Sequence, residues 1–247
     1  MINFSCDYTR SACPEVLEAL SWADGQYNGY SEDMLCAEAR EMVRDMCNAP
    51  DADVHFLVGG TQTNMTFISS VLRPHEGVVC APPGHINVHE TGAIESLGHK
   101  VLVVPKSSQF NSGKLSAEDI EQVAANHRND PNFEHVVKPG MVYISNPTEL
   151  GAIYSLDELT EISETCRRNN LVLYLDGARL AYGLASPDNT LSLSAIARLC
   201  DAFYIGGTKC GALFGEALVI INPRLKQDFR YVMKQRGALL AKGFLLG

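Results

Sequence analysis

Three short segments of this chain carry residue types that can do chemistry together. They are Gly59-Gly60-Thr61-Gln62-Thr63-Asn64, Leu175-Asp176-Gly177-Ala178-Arg179 and Gly206-Gly207-Thr208-Lys209. Each begins where an apolar, β-prone run stops, so each is predicted to follow a buried strand. The first offers backbone amides and a hydroxyl to a phosphate, the second offers a carboxylate, and the third offers a primary amine.

The first segment follows the predicted strand His55–Val58 and opens a predicted helix, Thr61–Val71. Gly59 and Gly60 allow close approach of the backbone, and free amides at a helix N-terminus suit a phosphate. An ordinary strand-to-helix turn, in which glycine avoids clashes and threonine caps the helix, explains this segment equally well.

Asp176 ends the most apolar predicted strand, Leu171–Leu175. A carboxylate at this place either caps the next helix or pairs with a cationic heterocycle, because burying an unpaired charge is costly. Arg179 could pair with Asp176 or hold a substrate carboxylate through its guanidinium fork.

Lys209 follows the predicted strand Ala202–Ile205 and the small residues Gly206-Gly207-Thr208. An isolated lysine is usually a surface residue, but an amine in a partly desolvated pocket can form a Schiff base. Ligands of parallel α/β sheets bind beyond the carboxyl ends of the strands, so the three segments are predicted to meet at one edge. A phosphate cradle, a carboxylate and an amine are the groups that pyridoxal phosphate requires.

His85 is a fourth candidate, placed after the predicted strand Val78–Ala81 and before a small helix. Its imidazole could stack on a flat cofactor or move protons near neutral pH. His89 lies one helical turn further on, and a metal pair at that spacing would lack a third ligand. We therefore predict that the protein binds no metal ion.

Strands and helices alternate along the chain, which predicts an α/β fold with a mainly parallel sheet flanked by helices. The predicted strands are His55–Val58, Val78–Ala81, Val101–Pro105, Met141–Ser145, Leu171–Leu175, Ala202–Ile205 and Ala217–Ile221. Beside Thr61–Val71, the predicted helices are Glu15–Ala23, Met34–Cys47, Ser116–His127, Ser155–Arg168, Ser192–Leu199 and Phe229–Phe244. One compact domain is the simplest organisation.

Composition excludes several classes of protein. A formal net charge of −9 argues against nucleic-acid binding, and no apolar run approaches the roughly 18 residues that span a bilayer. The first seven residues have neither a basic flank nor an apolar core, which predicts no signal peptide. The eight cysteines are scattered without a CxxC pair, as expected for reduced thiols. These features predict a cytoplasmic protein.

The order of the motifs GGT, GHINVHETGA, SNPTELG, YLDGARL and GGTKCG resembles the L-threonine aldolase branch of the fold-type I pyridoxal-phosphate enzymes. This branch is similar to the family of β-eliminating lyases. The opening segments Phe4–Asp7, Pro14–Leu20 and Tyr30–Asp33 carry the same resemblance, which covers essentially the whole chain.

The resemblance implies a cofactor role for several residues. Lys209 would hold pyridoxal phosphate as a Schiff base, and Asp176 would pair with the pyridine nitrogen and keep it protonated. The phosphate would be held by Gly60, Thr61 and the Gln62 amide, with the Thr208 hydroxyl as a further donor.

The resemblance also implies residues on the substrate side. His85 would stack on the ring and help to handle the proton of the substrate's β-hydroxyl, and Arg179 would lie beside cofactor or substrate carboxylate. Cys6 stands where the family commonly has a serine near the substrate. The implied reaction cleaves L-threonine, L-allo-threonine or a related β-hydroxy-α-amino acid into glycine and an aldehyde.

The resemblance finally implies how the protein is organised. Residues 1–247 would form a pyridoxal-phosphate-binding large domain, with an N-terminal segment at about 1–30 and the start of a connecting helix at about 224–247. The small C-terminal domain of the family is expected to be absent from these residues. A homodimer or homotetramer with sites between subunits is expected. The alternatives are another fold-type I enzyme, such as an aminotransferase or β-eliminating lyase, and a cofactor-binding chain without turnover.

Overall fold

The computed structural model describes residues 5–105 and 112–247, and a seven-stranded sheet lies at the centre of this part of the chain. The strands are β1 (Asp53–Leu57), β2 (Glu76–Cys80), β3 (Lys100–Val103), β4 (Lys138–Ser145), β5 (Val172–Asp176), β6 (Ala202–Gly206) and β7 (Glu216–Ile220). Their order across the sheet is β1-β7-β6-β5-β4-β2-β3. Each of the strands predicted from apolar runs is confirmed, with ends that differ by a few residues.

Helices connect the strands and cover the sheet. They are α1 (Pro14–Trp22), α2 (Met34–Cys47), α3 (Gly60–Val71), α4 (His85–Val88), α5 (Ala117–Asn129), α6 (Leu156–Arg168), α7 (Leu180–Leu184), α8 (Leu193–Leu199) and α9 (Phe229–Gln235). Short 3₁₀ turns occupy Glu95–Leu97, Phe133–His135, Pro223–Leu225 and Gly243–Leu246. The sequence patterns did not indicate α7, which is only five residues long.

Helix α6 begins with a capping box. The Ser155 hydroxyl accepts a hydrogen bond from the Glu158 backbone N–H at 3.1 Å, and the Glu158 carboxylate accepts one from the Ser155 N–H at 2.7 Å. Two of the N–H groups that a helix start leaves without intrahelical partners are satisfied in this way. The box fixes the first turn of the helix beside β5.

Both faces of the sheet are buried, as the continuous apolar runs predicted. Along β4, Met141 and Tyr143 pack on the face that α3 and α9 cover, whereas Val142 and Ile144 pack on the face of α6 and α8. All four side chains are at most 3% exposed. Since successive strand residues point to opposite faces, this burial explains why the strands lack polar alternation.

Strand β7 is the exception in a sheet whose other neighbouring strands are parallel. It pairs antiparallel with both β1 and β6, so that Glu216 lies opposite Leu57 on one side and Gly206 on the other. The prediction of a mainly parallel sheet is therefore confirmed. One consequence is that the first residue of β7 lies at the edge where β1 and β6 end.

The predicted helix Phe229–Phe244 begins at Phe229 as expected, but it is shorter than predicted. Helix α9 ends at Gln235, and Gly237 follows with φ +67°. This left-handed conformation lets the Ala238 N–H bond to the Met233 carbonyl at 2.8 Å, which closes the helix end. The apolar pattern continues past the glycine because the later residues pack on the domain, where Phe244 stacks on Tyr27.

No helix in the described part of the chain is long and apolar enough to cross a membrane.

Gly177 approaches β6 too closely for a side chain, which gives a test of the sheet-edge packing. A Cβ atom at Gly177 would lie 1.9 Å from the Tyr204 carbonyl oxygen. We expect Gly177→Ala to lower the free energy of unfolding by about 3 kcal/mol, because the backbone of β6 must move. Urea denaturation measures the effect.

Gly59→Ala is the matched control. A Cβ atom at Gly59 meets no atom within 4 Å, and the φ of −177° is open to any residue. Its unfolding midpoint should equal that of the wild type. A Gly177→Ala variant with the same midpoint as Gly59→Ala would contradict the close approach.

Candidate active site

A cavity of about 250 Å³ opens at the edge where the parallel strands end. Its lining residues are Tyr8, Val58, Gly59, Gly60, Thr61, His85, Ser145, Pro147, Glu149, Asp176, Ala178, Arg179, Tyr204, Thr208, Lys209 and Glu216. The three segments that the sequence singled out therefore meet at one site, together with His85.

The start of α3 forms one wall of the cavity. The first intrahelical hydrogen bond runs from the Thr63 N–H to the Gly59 carbonyl at 3.0 Å. The N–H groups of Gly60, Thr61 and Gln62 precede it and have no intrahelical acceptor. A Cβ atom at Gly59 would meet nothing within 4 Å, so the backbone here faces open space. This surface, the anion wall formed by Gly59, Gly60, Thr61 and the Gln62 backbone, suits an anion such as a phosphate.

The Gln62 side chain is engaged away from the cavity. Its Nε2 donates to the Arg236 carbonyl at 3.4 Å, and its Oε1 accepts from the Val58 N–H at 3.4 Å. The side chain thus joins the start of α3 to the end of α9. Only the backbone N–H of Gln62 remains directed along the start of the helix.

Asp176 is 4% exposed and accepts hydrogen bonds on both oxygens. Its Oδ2 accepts from Tyr143 at 2.6 Å and from Asn64 at 3.1 Å. Its Oδ1 accepts from the Tyr204 hydroxyl at 2.5 Å and from the Ala178 N–H at 3.0 Å. These donors stabilise a buried carboxylate without neutralising it, which leaves a negative charge ready to pair with a cationic group.

The tyrosines around Asp176 stay protonated. Burial, and next the charge of Asp176, raises the pKa of the Tyr143 and Tyr204 hydroxyls well above the usual value. Each hydroxyl can therefore act only as a donor toward the carboxylate. A further tyrosine, Tyr174, donates to Asn64 Oδ1 at 3.0 Å and so directs the Asn64 amide nitrogen toward Asp176.

His85 is held by a buried acid that the sequence analysis did not single out. His85 Nδ1 lies 2.8 Å from Glu90 Oε1, and the same oxygen accepts from Asn64 Nδ2 at 2.8 Å. The hydrogen bond with Glu90 raises the pKa of the imidazole. A proton on Nδ1 leaves Nε2 as the basic atom of the ring. The His89 ring centroid lies 5.5 Å away.

Lys209 is half-buried and lines the cavity. Among the described residues, no carboxylate lies within 4.0 Å of its Nζ. Its backbone carbonyl accepts from the Tyr182 hydroxyl at 2.9 Å, which holds the turn that carries it. The amine is thus positioned by its backbone and is not consumed by an ion pair.

Thr208 bonds to a glutamate at the start of β7. The Thr208 hydroxyl donates to Glu216 Oε1 at 2.9 Å and accepts from the Gly215 N–H at 3.1 Å. Glu216 Oε2 accepts from the Gly207 N–H at 3.1 Å. Burial raises the pKa of the Glu216 carboxyl to about 7.

Arg179 pairs with Asp7 rather than with Asp176. Its Nε lies 2.5 Å from Asp7 Oδ2 and its Nη2 3.1 Å from Asp7 Oδ1. No acceptor in the described ranges bonds to Nη1, so this end of the guanidinium can bind another acid.

Cys6 is half-buried but is not among the residues that line the cavity, where the nearby lining side chain is Tyr8. Phe4 lies outside the described residues.

Glu149 is a further lining residue that the sequence analysis missed. Its Oε1 accepts from the His85 backbone N–H at 2.8 Å and from the Ser145 hydroxyl at 2.7 Å. Burial raises the pKa of its carboxyl. The available signal was position, since an acid shortly after β4 falls at the same sheet edge as Asp176.

Comparisons with known proteins identify the family of the chain. A family model described as β-eliminating lyase matches residues 3–246. The chain belongs to the β-eliminating lyase family. It is 34% identical over 243 residues to a low-specificity L-threonine aldolase of a Pseudomonas species, covering 97% of this chain and 68% of that protein.

Solved structures give the same result for the fold. The threonine aldolase of Leishmania major superposes with a TM-score of 0.92 at 50% identity, covering 97% of this chain and 68% of that one. Cystalysin of Treponema denticola, whose structure contains a pyridoxal 5'-phosphate cofactor, superposes with a TM-score of 0.71 at 16% identity. The predicted fold-type I architecture of this family member is confirmed.

A methyl group at Gly59 tests the anion wall. Because Gly59→Ala meets no protein atom within 4 Å, the added group occupies the open space over the start of α3. We expect a normally folded variant whose affinity for inorganic phosphate falls by about tenfold or more, through loss of charge-assisted hydrogen bonds. A phosphorus NMR titration measures this. Unchanged affinity would place the anion elsewhere.

Glu90→Gln tests the hydrogen bond between Glu90 and the His85 imidazole. Loss of the carboxylate charge removes the stabilisation of the imidazolium, so the pKa of His85 should fall from its raised value. An NMR titration of the histidine ring protons gives the pKa. Glu118→Gln, at an exposed residue of α5, is the control and should leave His85 unchanged. Equal pKa values in all three proteins would contradict the contact.

Proposed function

We propose that this chain is a pyridoxal-phosphate-dependent aldolase that cleaves L-threonine, L-allo-threonine or a related β-hydroxy-α-amino acid to glycine and an aldehyde. The observation that carries the proposal is the shared cavity of the α3 start, the buried Asp176 carboxylate and the Lys209 amine. Membership of the β-eliminating lyase family and similarity to threonine aldolases support it.

The residues present fit the cofactor. Gly60 and Thr61 would hold the phosphate with free backbone amides, Asp176 would keep a proton on the pyridine nitrogen, and Lys209 would bind the aldehyde carbon. His85 would lie against the ring. When bound, pyridoxal phosphate withdraws electrons and so stabilises negative charge on the amino acid's Cα.

The remaining groups act on the substrate. His85 Nε2 is the atom that would accept the β-hydroxyl proton, because the hydrogen bond to Glu90 holds the other ring nitrogen as a donor. Arg179 would bind the substrate carboxylate through its Nη1 end, while Asp7 fixes the opposite edge of the guanidinium. Thr208 and the Gln62 backbone amide would complete the phosphate contacts.

We also propose the setting in which this site works. The described part of the chain would be the large, cofactor-binding domain, and the Pseudomonas relative extends beyond the 68% of its length that is matched. A homodimer or homotetramer, with sites between subunits, would cover exposed apolar side chains such as Trp22 and Tyr231, both 75% exposed. Eight free cysteines support a cytoplasmic location.

The test is an aldehyde-release assay on the full chain with added pyridoxal phosphate, over L-threonine, L-allo-threonine and phenylserine. We expect glycine and the matching aldehyde in equal amounts without a keto acid. Lys209→Ala should reduce the rate by on the order of a thousandfold or more, because it removes the group that binds the cofactor.

The controls separate loss of function from loss of fold. Lys209→Ala should keep the unfolding midpoint of the wild type, since its side chain makes no ion pair with the described residues. Turnover that requires a keto-acid acceptor would indicate an aminotransferase instead. Pyruvate and ammonia from serine, without glycine from threonine, would indicate a β-eliminating lyase.

A further inference from the structure

Glu216 is a buried carboxyl group on the cavity wall for which the reaction described above has no use. It is 5% exposed and is the first residue of β7. Its register partners are Leu57, which leads to the α3 start, and Gly206, which leads to Thr208 and Lys209. Glu216 therefore lies between the anion wall and the turn that carries the amine.

The hydrogen bonds around Thr208 depend on the protonation state of Glu216. A threonine hydroxyl has one proton, and an ionised carboxylate can only accept. At 2.9 Å from Oε1 of an ionised Glu216, the Thr208 proton is committed to that oxygen. Since the Gly215 N–H already donates to Thr208 Oγ1, the hydroxyl then has no proton for a phosphate.

A proton on Glu216 reverses this donor–acceptor relation. The protonated carboxyl can donate to Thr208 Oγ1, whose second lone pair accepts it, and the Thr208 proton becomes free to point into the cavity. The other Glu216 oxygen still accepts from the Gly207 N–H. One proton thus converts Thr208 from a donor to Glu216 into a donor to an anion.

The charges around Glu216 also favour the protonated form when an anion is bound. Asp176 on β5 disfavours ionisation of Glu216, whereas Lys209 opposes this effect. Besides burial, the larger cause, the charge of Glu216 also raises the pKa of three nearby groups, which stay neutral: the Tyr174 and Tyr204 hydroxyls and the Cys210 thiol. Residues 57–71, which lead into and form α3, contain no ionisable side chain. A phosphate dianion adds further negative charge to the same cavity.

We propose that Glu216 takes up a proton when a phosphate group binds at Gly59–Thr61, and that this proton frees the Thr208 hydroxyl to bind the phosphate. The identity of the ligand, pyridoxal phosphate, rests on the proposed function. The proton linkage itself concerns only the phosphate, so the two can fail separately. Because binding takes up a proton, affinity falls as the pH rises through the range in which free Glu216 ionises.

Glu216→Gln is the decisive variant. The glutamine amide donates to Thr208 as the protonated acid would, its oxygen accepts from the Gly207 N–H, and it does not titrate. We expect the affinity of the wild type for pyridoxal phosphate to fall by up to about tenfold per pH unit above about pH 7, relative to Glu216→Gln. His85 and the phosphate titrate in both proteins, so the ratio isolates Glu216.

Two direct measurements test the linkage without activity. Equilibrium dialysis gives the dissociation constants from about pH 6 to about pH 8.5. Calorimetry in buffers of different ionisation enthalpy gives proton uptake, which at the alkaline end should be greater in the wild type by about one proton. Pyridoxal, which lacks the phosphate, should show the same profile in both proteins. Equal phosphate-dependent profiles and equal proton uptake would overturn the proposal.

Thr208 variants provide an independent test if Glu216→Gln does not fold. Thr208→Ser retains the hydroxyl and should keep the pH dependence, whereas Thr208→Val should lose both affinity and pH dependence. A Thr208→Val variant with the wild-type profile would overturn the role of the hydroxyl. If no protein binds pyridoxal phosphate at any pH, the proposed function fails. The same comparison with inorganic phosphate then decides the linkage.

Discussion

A carboxylate that is almost completely removed from water at the end of β5 organises the elements around it. Burying such a charge is costly unless donors replace the lost water. Asp176 obtains them from β4 through Tyr143, from β6 through Tyr204, from α3 through Asn64 and from its own turn. Since hydrogen bonds require distances near 3 Å, these contacts set how the three elements lie relative to one another.

Helix α3 connects this carboxylate to the anion wall. Its first turn presents free amides, and Asn64, one turn later, contacts both Asp176 and Glu90. A Cβ atom at Gly60 would lie 3.0 Å from the Tyr204 hydroxyl, so the helix start passes close to the donor to Asp176. Helix α3 therefore contributes both to the anion wall and to the surroundings of the Asp176 carboxylate.

Much of this arrangement could be predicted from residue order. Apolar runs located the strands, and the rule that parallel strands end at one edge brought Thr61, Asp176 and Lys209 together. Glu216 was not predicted as a site residue because it begins an antiparallel strand, whose amino end lies at that edge. The contact between Asp7 and Arg179 was not predicted because the two residues are 172 positions apart, and no local sequence pattern indicates such a contact. The helix end near Gly237 was missed because apolar residues continue beyond it.

The link between Asp7 and Arg179 has a consequence for the order in which the site is assembled. Asp7 is synthesised 172 residues before Arg179, so their contact can form only after strands β1 to β5 have been made. Closing so long a loop carries an entropic penalty that is repaid only after the surrounding contacts exist. Although Asp7 is made early, its contact with Arg179 therefore depends on contacts that the rest of the domain forms.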